Sequence, residues 1–302
     1  MAFKDLAQIE IVAEHDRVVV SGGGPSDWQY IRLDRSPEGI FSADLTLITI
    51  ESDFAPGGRA GGEDVPIREM VLPFNLYAPD GGRIEETVSR FRKLFWKKRF
   101  QWRYTSSESG MRWLNARLSK GIKVAPKEDW NLHGYARAEV HAVALQPMYE
   151  SAALKVTATN PSAGQHTVWL PGWNPTDQRC YLEFDLDPKA GASFQIPDFS
   201  FGNEHEHALD WTVGQHANRM VVIPTINQMW SVMADPVMDT YLPADLSNAA
   251  GVMGGVEPLY WVPEYTASEL EPVMFPVVIN GAAGAKVTMT MRRLWSAESG
   301  LE

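Results

Sequence analysis

Apolar and polar positions alternate with a period of two along much of this chain, a pattern that predicts β-strands. In the first half Ile9–Ala13, Arg17–Ser21, Tyr30–Leu33, Leu45–Glu51 and Ile67–Tyr77 are short and rich in β-branched or aromatic residues. Turn formers such as Ser21-Gly-Gly-Gly-Pro25 and Ala78-Pro-Asp-Gly-Gly82 separate them. The period changes once. Ile84, Val88, Phe91 and Phe95 fall at i, i+4, i+7 and i+11, the spacing of one helix face. Glu85 and Glu86 are expected in the first turn and Lys97, Lys98 and Arg99 in the last, so both ends would complement the helix dipole. A hairpin is predicted next: Phe100, Trp102 and Tyr104 alternate with polar residues, Ser106–Gly110 turns, and Leu114, Ala116 and Leu118 return. A last strand, Arg137–Leu145, ends at Gln146-Pro147.

The second half repeats the β pattern at Leu154–Thr159, Val168–Leu170, Tyr181–Leu186, Phe194–Ile196, Met220–Ile223, Tyr260–Val262, Val273–Ile279 and Val287–Met291. Short strands punctuated by Gly and Pro suit a β-sandwich, and Leu242–Val256 reads as a loop or weak helix. The fold class expected is therefore mainly β. With 302 residues, 44% of them hydrophobic, the chain can bury about two cores. Charge gives a boundary: residues 150–302 hold 7 of the 27 basic residues but 18 of the 38 acidic ones, so 1–149 is neutral and 150–302 carries the whole −11. Two domains, 1–149 and 150–302, are expected on that basis.

The same charge argues against nucleic acid as a partner, since phosphate binding needs a basic face. No run of about 18 apolar residues occurs, so neither a membrane helix nor a secretory signal is expected. Cys180 is the only cysteine, which precludes an internal disulfide and reads as a small core residue. Fingerprints of phosphate loops, nucleophile elbows, HExxH and paired CxxC are missing. Gly22–Gly24 reads as a turn because Pro25 and Ser26 follow. Gly202-Asn-Glu204-His205-Glu206-His207 is the best metal candidate, since in an extended strand His205 and His207 would share one side, though a solvated polar loop is the plainer reading. Glu183, Asp185 and Asp187 alternate along one strand and read as the wet face of an edge strand. Glycoside hydrolysis needs two carboxyls facing each other. Trp169, Trp173, Trp211, Trp230 and Trp261 could stack on sugars, but tryptophans in a sandwich more often fill the core. No cofactor, metal or catalytic residue is expected.

The strand ending Leu72-Pro-Phe-Asn-Leu-Tyr77, the Pro-Asp-Gly-Gly turn, the helix and the strand pair Gln101-Trp-Arg-Tyr104 and Arg112-Trp-Leu-Asn-Ala-Arg-Leu118 resemble the N-terminal half of the distal tail proteins of long-tailed, siphovirus-type phages. These are often described as minor tail proteins in phages of actinobacteria. Pro171-Gly-Trp-Asn-Pro175, Cys180-Tyr-Leu-Glu-Phe184, Gln195-Ile-Pro-Asp-Phe199, Val221-Val-Ile-Pro224, Trp261-Val-Pro-Glu-Tyr265 and Arg292-Arg-Leu-Trp-Ser296 continue the likeness in order. Those relatives end with Arg-Pro-Trp-Gly, whereas this chain has Leu294-Trp-Ser-Ala-Glu298. The resemblance implies a tail-tube-like belt domain with one helix at 1–149 and a galectin-like β-sandwich at 150–302. It further implies a six-copy ring at the distal end of the virion tail, made in the host cytoplasm. Its partners would be itself, the tail tube protein, the tip or hub protein and the tape measure protein. The rival reading is a carbohydrate-binding sandwich that recognises a host surface glycan.

One block stands out against the acidic background. Arg90, Arg92, Lys93, Lys97, Lys98, Arg99 and Arg103 place seven cations and no acid in fourteen positions. Two readings are balanced: an interface to acidic surface on an adjacent subunit, or a solvated helix face.

Overall fold

A computed structural model describes residues 7–22, 30–52, 55–126, 128–207 and 210–302. The fold is mainly β, with antiparallel sheets and three short helices among the described residues. The chain divides into two compact units, Met1–Ser151 with Trp295–Glu302, and Ala152–Leu294.

The first unit holds β1 (Gln8–Val12), β2 (Arg17–Ser21), β3 (Ile31–Leu33), β4 (Thr46–Ser52), β5 (Ala55–Asp64), β6 (Arg68–Tyr77), α1 (Ile84–Leu94), β7 (Arg99–Ser106), β8 (Gly110–Leu118), β9 (Lys123–Pro126), α2 (Trp130–His133), β10 (Tyr135–Ala144) and the start of β11 (Tyr149–Thr159). Pairing runs β2-β1-β7-β8-β10-β6-β3, with β9 on β10. The predicted hairpin is β7–β8, registered from Arg99↔Arg117 to Ser106↔Gly110. Gly22, in the left-handed region at φ 69°, ends β2 where a Cβ would meet the Ala7 carbonyl oxygen at 1.8 Å, so that position is a turn; Gly23 and Gly24 lie outside the described residues.

Helix α1 is seated by an aromatic chain. Phe74 of β6, Phe91, Phe95 and Phe100 of β7 meet edge to face in sequence, with centroids 5.1, 5.2 and 5.0 Å apart. Ile84, Val88 and Leu94 complete the buried face. Each such side chain contributes roughly 1.5–3 kcal/mol of burial. The Thr87 hydroxyl donates to the Tyr77 carbonyl at 2.7 Å and ties the helix to the end of β6. Glu85 and Glu86 occupy the first turn as expected, and the Glu86 carboxylate accepts from the Arg83 backbone N–H at 3.3 Å. The expectation for the last turn is corrected. The helix stops at Leu94, its last turn carries Arg92 and Lys93, and Lys98 adopts a left-handed φ of 59°. Phe100 must start β7 pointing inward, and the intervening turn absorbs Trp96–Lys98.

The ribbon β4–β5 is a separate two-stranded sheet. β5, with sequence APGGRAGGED, reads as a loop and was not expected to be a strand. Its glycines make room for β4: a Cβ at Gly61 would lie 2.8 Å from the Ile50 side chain. Leu45, Leu47, Ile48 and Ile50 are each about half exposed (47–60%).

A buried arginine holds the last eight residues to this unit. Arg112, on β8, is wholly buried (0% exposed). Its guanidinium donates to the carbonyls of Ala297 and Gly300 at 2.9 and 2.7 Å and to Glu302 Oε1 at 2.6 Å, and it stacks 3.8 Å over Trp295. Arg68 does similar work nearby, donating to the carbonyls of Pro147, Phe41 and Ser296. A buried cation is tolerable only when its N–H groups are paired in this way.

The second unit holds most of β11, then β12 (Gly164–Gly172), β13 (Leu182–Asp187), β14 (Ala192–Pro197), β15 (Met220–Ile226), β16 (Trp230–Met233), β17 (Tyr241–Pro243), α3 (Ala250–Met253), β18 (Val273–Gly281) and most of β19 (Lys286–Trp295). One sheet includes β17-β16-β13-β19 and the other is β12-β18-β14-β15. Phe184, Leu186, Val232 and Met289 belong to one buried core with Phe194, Ile196, Val221 and Phe275, which makes this a sandwich. Gly172 allows the close packing, since a Cβ there would lie 2.7 Å from Met291 Sδ and 2.8 Å from Phe275.

Two expectations need correction in this unit, and the condition for a metal site at Glu204–His207 is not met. Tyr260–Val262 is no strand but a single bridge, Cys180↔Val262. Glu183, Asp185 and Asp187 lie on β13, which is paired on both sides, by β16 and β19, and so is not an edge. Their outward face is nonetheless polar, with Glu183 paired to Arg292 at 2.6 Å and Asp185 accepting from Ser231. Glu204–Glu206 is a turn of 3-10 helix instead of an extended strand, because Ser200 holds the buried Glu204 carboxylate at 2.6 Å. His205 therefore packs on Trp211 while His207 packs on Tyr260 and Trp261.

Replacing Arg112 by Met should cost about 3 kcal/mol by stranding the carbonyls it now serves, lowering the thermal midpoint of the first unit by roughly 10 °C. An unchanged midpoint in differential scanning calorimetry would refute the clasp.

Candidate assembly surface

The seven cations gather around the exposed side of α1 and the turn after it. Apolar residues at 84, 88, 91, 94 and 95 take the buried face, so Arg90, Arg92, Lys93 and Lys97 must point to solvent. The turn joining β1 to β2 then brings acids up to them. Arg90 makes a two-pronged ion pair with Asp16, at 2.8 and 2.9 Å, and this hydrogen bond holds the Asp16 carboxyl below its ordinary pKa. Lys97 lies 3.6 Å from Glu14, and Arg103 lies 4.0 Å from Glu10 while donating to Gln101.

Four of the seven, Arg92, Lys93, Lys98 and Arg99, have no ion pair among the described residues. Arg99 faces Arg117 directly across the β7–β8 ladder, and like charges in that position repel. Arg117 thus joins the positive surface, although sequence reasoning passed it over; the hairpin register needed to find it was already available from the turn at Ser106–Gly110.

Trp96 is the second residue missed. It is 59% exposed, with the Lys97 ammonium 4.6 Å from its ring centroid and His15 stacked at 6.3 Å. The helical wheel could have signalled this, because position 96 falls off the 84/88/91/95 stripe. On one side of Trp96 a cleft of about 840 Å³ lies between α1 and the β1–β2 turn, lined by Glu14, Asp16, Glu86 and Arg90. On the other a hollow of about 480 Å³ reaches Arg92 and Trp130. An exposed indole amid unpaired cations suits a protein contact, where aromatic residues and Arg are enriched.

Elsewhere the candidate chemistry is dispersed. Glu183, Asp185 and Asp187 share one strand face and do not oppose one another across a cleft. The Cys180 thiol is buried, donates to the Arg292 carbonyl at 3.2 Å and is pushed up to about 12 by desolvation, as befits a core residue. Trp230 and Trp261 are buried, whereas Trp169 and Trp211 are 56% and 43% exposed. No group of three metal-ligating side chains occurs among the described residues.

This architecture is a known one. The chain is similar to the crystal structure of the SPP1 Dit protein, described as a paradigm of the hub adsorption apparatus in phages infecting Gram-positive bacteria. The TM-score is 0.54 at 10% identity, covering 94% of this chain and 98% of that one. A chain of the phage P2 baseplate in its activated conformation with Ca aligns with a TM-score of 0.46 at 10% identity, covering 95% and 98%. No protein-family model and no curated protein matches the sequence. The chain thus shares the fold of the SPP1 Dit protein at only 10% sequence identity.

A double-mutant cycle of Arg90→Ala with Asp16→Ala should give a coupling of about 1 kcal/mol or less, shrinking in high salt. A coupling indistinguishable from zero at low salt would remove the internal neutralisation described above.

Proposed function

We propose that this chain is a structural component of the tail tip of a long-tailed phage, where copies of it form a ring between the tail tube and the host-adsorption complex. What carries the reading is the correspondence of fold with a phage hub protein over nearly the entire chain. The ribbon β4–β5 supports it independently. An isolated two-stranded ribbon with three half-exposed side chains, Leu47, Ile48 and Ile50, is marginal in water and gains stability when a neighbouring copy covers it. The belt role falls to the first unit and the galectin-like sandwich role to the second. Stacking tube, tip and tape measure proteins against the ring follows from the same position in the tail.

In the ring, the unpaired cations Arg92, Lys93, Lys98 and Arg99, with Arg117 and Trp96, face acidic surface on a neighbour; Arg90, Lys97 and Arg103 serve within their own subunit. Contacts of this kind set register and association rate more than affinity.

Native mass spectrometry and negative-stain images should show closed rings, with six copies the expected number. Ile48→Lys combined with Ile50→Lys should yield folded monomers. Reversing Arg92 and Arg99 to Glu should weaken assembly about tenfold or more, whereas Lys97→Glu should act mainly on subunit stability. A wild-type protein that stays monomeric at high concentration contradicts the ring; rings indifferent to the Arg reversals remove only the charged interface.

A further inference from the structure

The two sheets of the second unit present very different outer faces. That of β13 and β19 carries Glu183, Asp185, Asp187, Lys286 and Arg292. Strands β12, β18, β14 and β15 contain no Asp, Glu, Lys or Arg at all, in a unit of 7 basic and 15 acidic residues. Their one titratable residue, His166, lies on the same side as Val168 and Leu170, the inner side. The outer face is therefore uncharged throughout, and it is open: Trp169, Val222 and Met274 are 56%, 59% and 45% exposed.

Register arranges that face in rows. Gln165, Asn280 and Ser193 are consecutive cross-strand neighbours. In the next row Thr167 pairs with Val278, which pairs with Gln195. In the third row Trp169 stands opposite Pro276. None of the five amide and hydroxyl side chains is hydrogen-bonded to another described residue. Strand spacings make the patch about 10 Å by 14 Å, the span of two or three sugar rings.

We propose that this face binds an uncharged carbohydrate. A pyranose offers a C–H face and a rim of hydroxyls. Trp169 supplies an open indole for the first, and the amides of Gln165, Gln195 and Asn280, each both donor and acceptor, supply partners for the second. The absence of charge within a unit of net −8 fits a neutral ligand, and the surrounding acidity disfavours anionic polysaccharides. This goes beyond the assembly role and uses the sandwich surface, not the belt.

The test is a glycan array carrying neutral and acidic oligosaccharides, probed with the full chain and followed by calorimetric titration of the best neutral oligosaccharide retained. Wild type should bind neutral glycans with little dependence on salt. Trp169→Ala should weaken binding about tenfold or more, Trp169→Phe should keep most of it, and Gln195→Ala should lose about fivefold. All three should leave the thermal midpoint and the oligomer mass unchanged, because these side chains are outward-facing. Failure to retain any neutral glycan, retention of acidic ones alone, or full binding by Trp169→Ala would overturn the site. So would a change of oligomer mass in Trp169→Ala, which would make the face a protein contact. Should Trp169→Ala unfold, Trp169→Phe and Gln195→Ala decide. Ring formation is read separately by mass, so loss of the sugar site leaves the assembly reading intact.

Discussion

A two-stranded sheet is marginal by itself, and the ribbon β4–β5 is the one sheet among the described residues with no third strand. Every other long strand of the first unit is built into one connected sheet. The ribbon has only its own two strands, with leucine and isoleucine half exposed and glycine on the return. A surface of that kind is stable in a crowd of copies and a liability in isolation. The ring reading rests on this physical circumstance as much as on the likeness of fold.

The seating of α1 then decides how the cationic block is used. Because Phe91 and Phe95 are locked between Phe74 and Phe100, the helix cannot roll, and its charges are held outward. The acidic β1–β2 turn neutralises part of that charge at short range through Asp16 and Glu14. What remains is a smaller, better-defined surface than the sequence block suggests: a few unpaired cations grouped about an exposed indole. Internal pairing and outward display are thus both realised, on different members of the same run of residues.

The second unit distributes charge by sheet. One outer face is salt-bridged and wet, while the other is neutral, with an exposed indole on its β12 edge. Such separation is costly to solubility unless the neutral face has an occupant, and its hydrogen-bonding side chains indicate what chemistry the occupant offers. In the first unit, Arg112 and Arg68 bind the final residues by donating to backbone carbonyls. The first unit therefore combines residues 1–151 with the segment Trp295–Glu302.

Most strands, the single long helix and the sandwich character could be read from the chain directly, because a period of two or 3.6 in apolar residues records which side of an element meets a core. The strand APGGRAGGED could not: glycine carries no periodic signal, and only pairing with β4 makes it extended. The helix end eluded prediction because Phe100 had to begin a strand facing inward, a demand set by the sheet. The sequence likewise announced a cluster of seven cations, but which of them are spent on Glu10, Glu14 and Asp16 depends on β1 and the turn after it, seventy or more residues away. Local periodicity is inscribed in the residues themselves; the sharing of charges and the emptiness of one sheet face arise only when distant segments are brought together.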